Sequence, residues 1–239
     1  MKQAVRTLLM RLPGGVRLIE MLRVQTPQEL FAHYYETNVW GDEESVSGSH
    51  STHRYTANIR EQLPGLIARL GVSRILDAPC GDYNWFRFVP RHENITYVGA
   101  DIVAALVERN QAAFGSANTS FRHIDIAGDD LPPADLWICR DCLFHFSDLN
   151  IWRAIDNFLG SDIRYLLTTT FPHSTENKNI PTGEFRLLNL ELPPFGFPKP
   201  IESMDDWIEG HPVKRLALWD RDVLRAHLAR RRGIKSRRM

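Results

Sequence analysis

Three short apolar runs, each ending in an acidic residue, constrain the fold of this chain more than any other feature. The runs close at Asp77 (Arg74-Ile75-Leu76-Asp77), at Asp101 (Tyr97-Val98-Gly99-Ala100-Asp101) and at Asp125 (Phe121-Arg122-His123-Ile124-Asp125), each acid 24 positions after the last. A strand, a turn and a returning helix fill such an interval, so the runs read as consecutive β-α units of a parallel sheet. Side by side, these strands collect three carboxylates along one edge of the sheet, where open α/β folds bind ligands. The first run delivers Asp77 into Ala78-Pro79-Cys80-Gly81-Asp82, a tight glycine-containing turn suited to a nucleotide cofactor.

The alternation continues along the chain. Strands are expected at 74–77, 95–101, 119–125, 134–140 and 163–170, with helices from about Tyr83, over 102–114 and over 147–159. The runs at 135–139 and 163–167 are apolar enough for burial on both faces. The fold class is therefore α/β, a doubly wound, mainly parallel sheet. Thr26-Pro27-Gln28-Glu29 supplies an N-cap, a proline at the first helical position and a glutamate at the third, so a helix starts there and runs to about Thr37. A second helix is expected over 56–70, with a break at Pro64. Between them, Trp40 to Tyr55 reads as a long loop that closes over the cofactor and is mobile without it. The segment from Phe171 to about Pro200, rich in Pro, Asn and Gly, reads as a lid, followed by a strand over 213–220 and a helix over 222–229. The organisation is a basic amphipathic leader (1–25) and one domain (26–239), divided into N-terminal helices and loop (26–70), cofactor-binding core (71–171) and acceptor lid with C-terminal strand and helix (172–239).

The chain has 239 residues, and its 29 Lys plus Arg balance its 29 Asp plus Glu. That balance argues against a general polyanion binder and makes nucleic acid an unfavoured partner. Basic residues nevertheless gather at the ends: Lys2, Arg6, Arg11, Arg17 and Arg23 in the leader, and Arg230, Arg231, Arg232, Lys235, Arg237 and Arg238 at the C-terminus. The leader arginines lie among Val5, Leu8, Leu9, Leu12, Val16, Leu18, Ile19 and Leu22, which predicts weak association with an anionic membrane surface, limited by the interruption at Pro13-Gly14-Gly15. No run reaches the ~20 apolar residues of a membrane span, and three cysteines are too few for a disulfide framework, so a cytoplasmic location is expected, peripheral at the inner membrane surface at most. Cys139-Arg140-Asp141-Cys142 matches C-x-x-C but lacks the second ligand pair of a structural zinc site.

The ordered series LDAPCGD, VGADI, a strand closing in Asp125-Ile126, and DLWICRD resembles the first four motifs of the class I S-adenosylmethionine-dependent methyltransferases, over roughly 56–171. The resemblance implies S-adenosyl-L-methionine as cofactor and a contact set of Asp77, Ala78, Cys80, Gly81, Asp101, Ile102, Asp125, Ile126 and Arg140. In that family the first acid and the glycine turn approach the methionine part, the acid matching Asp101 receives the ribose hydroxyls, and Asp125 with Ile126 borders the adenine. Ionised carboxylates accept such hydroxyl and amine donors strongly. The family's D/E-x-G-x-G-x-G loop holds Pro79, Gly81 and Tyr83 here, so only the central glycine is kept. Asp101 also follows Gly81 by 20 residues, near the spacing of an NAD(P)-dependent oxidoreductase, but G-x-G-x-x-G is absent. Asp77 and Asp82 beside the turn would repel a pyrophosphate and favour a sulfonium cation.

Beyond the fourth strand, Arg140-Asp141-Cys142-Leu143-Phe144-His145 occupies the place where this fold presents its chemistry. His145 is the candidate general base, with Asp141 as its orienter or as the base itself. The Asn-Pro-Pro-Tyr type of motif found in many enzymes that methylate bases or amide nitrogens is missing. Glu184, Arg186 and Asn189 in the lid are the candidate acceptor ligands. Asp141, His145 and Glu184 could alternatively hold a divalent cation, a less favoured reading. The expected activity is O-methylation of a polar acceptor such as a glycan or small metabolite; a noncatalytic cofactor-binding module is the other alternative. The sequence sets neither the acceptor nor the oligomeric state.

Overall fold

A computed structural model describes residues 3–22 and 25–236. Seven strands form one sheet: β1 (Arg74–Asp77), β2 (Thr96–Asp101), β3 (Thr119–His123), β4 (Leu136–Cys139), β5 (Tyr165–Thr170), β6 (Glu202–Asp205) and β7 (Arg215–Asp220). Their spatial order is β3-β2-β1-β4-β5-β7-β6. The first five pair in parallel, while β7 runs antiparallel to both β5 and β6. The order reverses between β1 and β4, which opens a crevice beyond their carboxyl ends.

Alternating side chains cover both faces. Leu76 and Trp137 point to the face covered by Ile151 and Phe158 of α6 (Asp148–Gly160) and Leu224 of α7 (Arg221–Ser236). Ile75 and Ile138 point to the other face, against Ile59 and Leu63 of α4 (Ala57–Leu70) and Val107 of α5 (Ala104–Phe114). Each such side chain contributes about 1.5–3 kcal/mol on burial, so the two cores fix the sheet and hold its carboxyl edge in place.

Two expectations are corrected, and one strand has no counterpart among them. No helix follows Tyr83: that residue adopts φ 58°, and Trp85, Phe86 and Val89 turn into the core around one turn of 3-10 helix at Phe86–Phe88. α4 runs unbroken through Pro64. β6 is an edge strand that no apolar run announced, since only Met204 of its four residues is buried.

The leader folds as two helices, α1 (Gln3–Met10) and α2 (Gly15–Met21), and its turn is so tight that a Cβ on Gly15 would meet the Leu9 carbonyl. Val16 and Ile19 are buried, whereas Leu8, Leu12, Leu18, Met21 and Leu22 are exposed. α3 (Pro27–Glu36) carries the expected capping box, with the Glu29 amide donating to Thr26 Oγ1 at 3.2 Å and the Thr26 amide donating to Glu29 Oε2 at 2.7 Å. Lys2, Arg23, Arg237 and Arg238 lie outside the described residues. Among the described residues no helix is long and apolar enough to cross a membrane.

Candidate active site

A cavity of about 480 Å³ lies beyond the carboxyl ends of β1, β2 and β4, at the reversal of strand order. One end is built by the turn after β1. There the Cys80 amide donates to the Ala100 carbonyl at 2.8 Å and the Gly81 amide to Asp101 Oδ2 at 3.1 Å, so the turn is strapped to the end of β2. Gly81 sits at φ 55°, and a Cβ there would stand 2.2 Å from Ser47 Oγ; both facts require glycine. Asp101 lines the cavity, accepts a second backbone bond from Val103, and is raised to about 6 by burial, against the pull of these two amides. Ile102, Leu106, Ile124 and Ile126 form an apolar slot beside it, with Asp125 at the rim.

Not every acid of the series faces this space. Asp77 is 1% exposed and turned behind the turn, where it accepts the Tyr97 hydroxyl at 2.7 Å. Burial raises it to about 7, with the Tyr97 bond opposing the shift. Ala78 is also set back, its carbonyl accepting Trp137 Nε1. Asp82 is buried and accepts from Ser45 Oγ, the Val46 amide and Ser47 Oγ at 3.0, 3.0 and 3.2 Å. Asp77, Ala78 and Asp82 therefore stand behind the turn and not on the cavity wall. The acids on the cavity wall are Asp101, Asp125 and Asp141, with Glu184 on the lid side. Asp82 also ties the loop between α3 and α4 to the turn after β1, so this loop is built into the cavity wall.

Beyond β4 the chain turns at Asp141, whose φ is 51°. Its carboxylate pairs with Lys214, which is fully buried, and lies 3.4 Å from Arg140 and 3.7 Å from His50 Nδ1. Burial alone would raise this carboxyl, but Arg140, Lys214 and His50 outweigh it and hold Asp141 well below the usual carboxylate range. Arg140 in turn grips Asp206 with Nε and one terminal nitrogen, each at 2.9 Å, and Lys214 reaches Asp206 at 3.2 Å. Two cations and two carboxylates thus neutralise one another in the core of the site. Asp141 does not orient His145. The His145 Nδ1 instead donates to the Glu184 carbonyl at 2.9 Å, which leaves Nε2 as the acceptor nitrogen of a neutral ring. Burial pushes His145 down to about 4, so the ring is uncharged at neutral pH.

His145 and Glu184 both line the cavity, whereas Arg186 and Asn189 do not. Arg186 is buried and bonds Asp148 and the Lys178 and Phe146 carbonyls; Asn189 bonds the Pro172 and Ser174 carbonyls and Asn177. Arg186 thus ties the lid to α6 and to the segment before it, and Asn189 braces the lid's own backbone. Glu184 is paired with Arg6 of α1 and Asp141 with Lys214, and among the described residues no three His, Cys, Asp or Glu side chains are grouped to hold a metal ion. The cation set of Asp141, His145 and Glu184 is therefore not assembled. Sequence reasoning missed His50, Lys214 and Asp206, which have no local motif, and the rings of Trp40, Phe144 and Phe185 around His145.

No protein-family profile matches the sequence and no curated protein matches it. Solved structures do match in three dimensions. The 1,6-didemethyltoxoflavin-N1-methyltransferase of Burkholderia thailandensis, with bound 1,6-didemethyltoxoflavin and S-adenosylhomocysteine, superposes over 83% of this chain and 91% of its own, at 14% identity and a TM-score of 0.56. The magnesium protoporphyrin IX methyltransferase of Synechocystis PCC 6803, with bound S-adenosylhomocysteine, superposes over 80% of this chain and 94% of its own, at 13% identity and a TM-score of 0.52. The fold is that of the S-adenosylmethionine-dependent methyltransferases. The methyltransferase fold also carries other chemistry: the [4+2]-cyclase SpnF superposes over 76% of this chain and 75% of its own, at 18% identity and a TM-score of 0.50. Function must therefore be argued from the cavity.

Proposed function

We propose that this chain is an S-adenosylmethionine-dependent methyltransferase that methylates a hydroxyl of a small-molecule acceptor. One observation carries the reading: a single cavity joins a ribose-type acid, Asp101, at one end to a neutral histidine, His145, at the other. The donor set fits the cofactor. Asp101 would accept the ribose hydroxyls, the slot of Ile102, Leu106 and Ile126 would take the adenine, and Asp125 would accept its amine. When bound, the cofactor supplies an electrophilic methyl on a sulfonium. His145 Nε2, with its lone pair free, would accept the acceptor's proton, while the Glu184 carbonyl holds the ring in the required tautomer. Arg140 and Asp141 would shape the wall between the two ends through their ion pairs.

A noncatalytic cofactor-binding module would have no reason to hold His145 open to the cavity. Glycan acceptors remain the alternative substrate class; the loss of Arg186 and Asn189 from the wall weighs against them. Titration calorimetry with S-adenosylhomocysteine tests the cofactor, and mass spectrometry of a fractionated extract incubated with the protein and labelled S-adenosylmethionine tests the transfer. Absence of saturable binding would refute the reading. The exposed Leu8, Leu12, Leu18, Met21 and Leu22 beside the exposed Arg11 and Arg17 also support weak contact with an anionic bilayer. In sedimentation with anionic vesicles at low salt the full chain should pellet more than a chain starting at Thr26, and equal recovery would end that idea.

A further inference from the structure

The acceptor end of the cavity is defined by rings. His145 has the Phe144 ring centroid 4.4 Å from its own, Phe185 at 6.1 Å and Trp40 at 6.4 Å. Trp40 and Phe185 belong to segments far apart in sequence, yet both line the cavity and both remain in reach of solvent, at 39% and 53% exposure. Two large half-exposed aromatic faces at one cavity mouth give a shared apolar surface that a flat ligand would bury. Polar groups nearby are engaged within the protein: the Tyr34 hydroxyl donates to the Gly183 carbonyl at 3.2 Å, Glu184 pairs with Arg6, and Asp141 pairs with Lys214. A sugar, which needs several hydrogen-bonding partners, would have to compete with these internal bonds. His145 Nε2 stands among the rings as the acceptor for one proton.

Building on the methyltransferase reading, we propose that the acceptor is a planar aromatic ring bearing a free hydroxyl, stacked on Trp40 and Phe185 with that hydroxyl donating to His145 Nε2. The aromatic oxygen takes the methyl as the bond from methyl to sulfonium sulfur breaks; the bonding pair stays on sulfur, leaving a neutral thioether. The hydroxyl proton passes to Nε2, and solvent removes it from the imidazolium. Acid strength agrees with this geometry. Burial makes His145 a weak base, and a phenol, with a pKa of about 10, gives up its proton far more readily than an aliphatic hydroxyl.

The test is ligand-observed NMR titration of the full chain with 2-naphthol, with naphthalene and methyl glucoside as controls for the ring and the hydroxyl alone. Naphthol should bind more tightly than either control. Trp40→Ala or Phe185→Ala should weaken it by about tenfold, as expected from loss of a stacked face, while Trp207→Ala, at an exposed ring that does not line the cavity, should leave it unchanged. Preference for the glucoside, indifference to both cavity variants, or no naphthol binding overturns the proposal. Each titration is run with and without S-adenosylhomocysteine. If that compound fails to bind, the cofactor reading falls, while the naphthol series without it still judges the aromatic mouth.

Discussion

Replacing Lys214 by methionine tests the electrostatic frame of the site. The side chain is fully buried and pairs with both Asp141 and Asp206, while Arg140 pairs with the same two carboxylates. Methionine is unbranched like lysine and one atom shorter, so it leaves no large void; what it removes is one of two positive charges facing two negative ones. The site is left with an uncompensated buried carboxylate, which costs about 3–5 kcal/mol in comparable broken pairs. In a chain of this length each kcal/mol moves the melting temperature by roughly 2–4 °C, so Lys214→Met should melt about 6–20 °C lower. The double variant Lys214→Met/Asp141→Asn removes the surplus charge and should recover more than half of the loss. Thermal and urea unfolding followed by circular dichroism read the melting temperature and the free energy. A single-variant loss below about 1 kcal/mol, or a double variant no more stable than the single, would show that charge balance is not what Lys214 provides.

Asp101→Ala removes the ionised acceptor at the end of β2 and should weaken S-adenosylhomocysteine binding about tenfold or more, since a hydrogen bond to a charged group contributes about 1.5–3 kcal/mol; calorimetry showing unchanged affinity would remove the assignment. Asp82→Ala should release the loop it anchors, so that amide exchange at Val46 and Ser47, slow in the parent protein without any ligand, speeds up; equal rates in the two proteins would count against the anchor. Asp77 has a folded-state value near 7, above the 3.8 of an unperturbed aspartate, so its stabilising contribution is full below about pH 4 and is lost as pH rises toward 7. Asp77→Asn, which keeps an acceptor for Tyr97, should differ least from the parent at pH 4 and exceed it in urea midpoint at pH 8; a gap that does not widen with pH would be contrary to this.

Much of the scaffold is written locally. The runs ending at Asp77, Asp101 and Asp125 mark the first three strands because period and length of an apolar run are local properties, and their even spacing foretells the parallel order. Ser147 and Thr26 likewise cap α6 and α3 through bonds that span three residues. The site divides differently. Gly81 and Asp101 could be read because a strand end followed by a turn carries its own pattern. Arg186 and Asn189 misled because a polar side chain that satisfies a lid carbonyl has the same composition as one that binds a ligand. Lys214 gave no signal at all: its partners Asp141 and Asp206 are brought to it by the return of β7 beside β5. The failed helix after Tyr83 has the same origin, since Trp85 and Phe86 spend their apolar surface on the core, which only the tertiary fold supplies.

The walls of the cavity differ in ancestry within the chain. Asp101, Ile102, Ile126 and the Gly81 turn hang from strand ends, so any change there strains the sheet itself. Trp40 and Phe185 stand on two connecting segments, one tied to the turn after β1 through Asp82 and the other to the segment after β4 through the Gly183 and Arg186 amides, and neither side chain belongs to a strand. Substitutions at that pair can accumulate without disturbing the strands. On the methyl-transfer proposal, divergent copies of such a chain would keep the donor end while exploring new recipients, and the place to look for their diversification is the pair of positions 40 and 185 rather than the turn after the first strand.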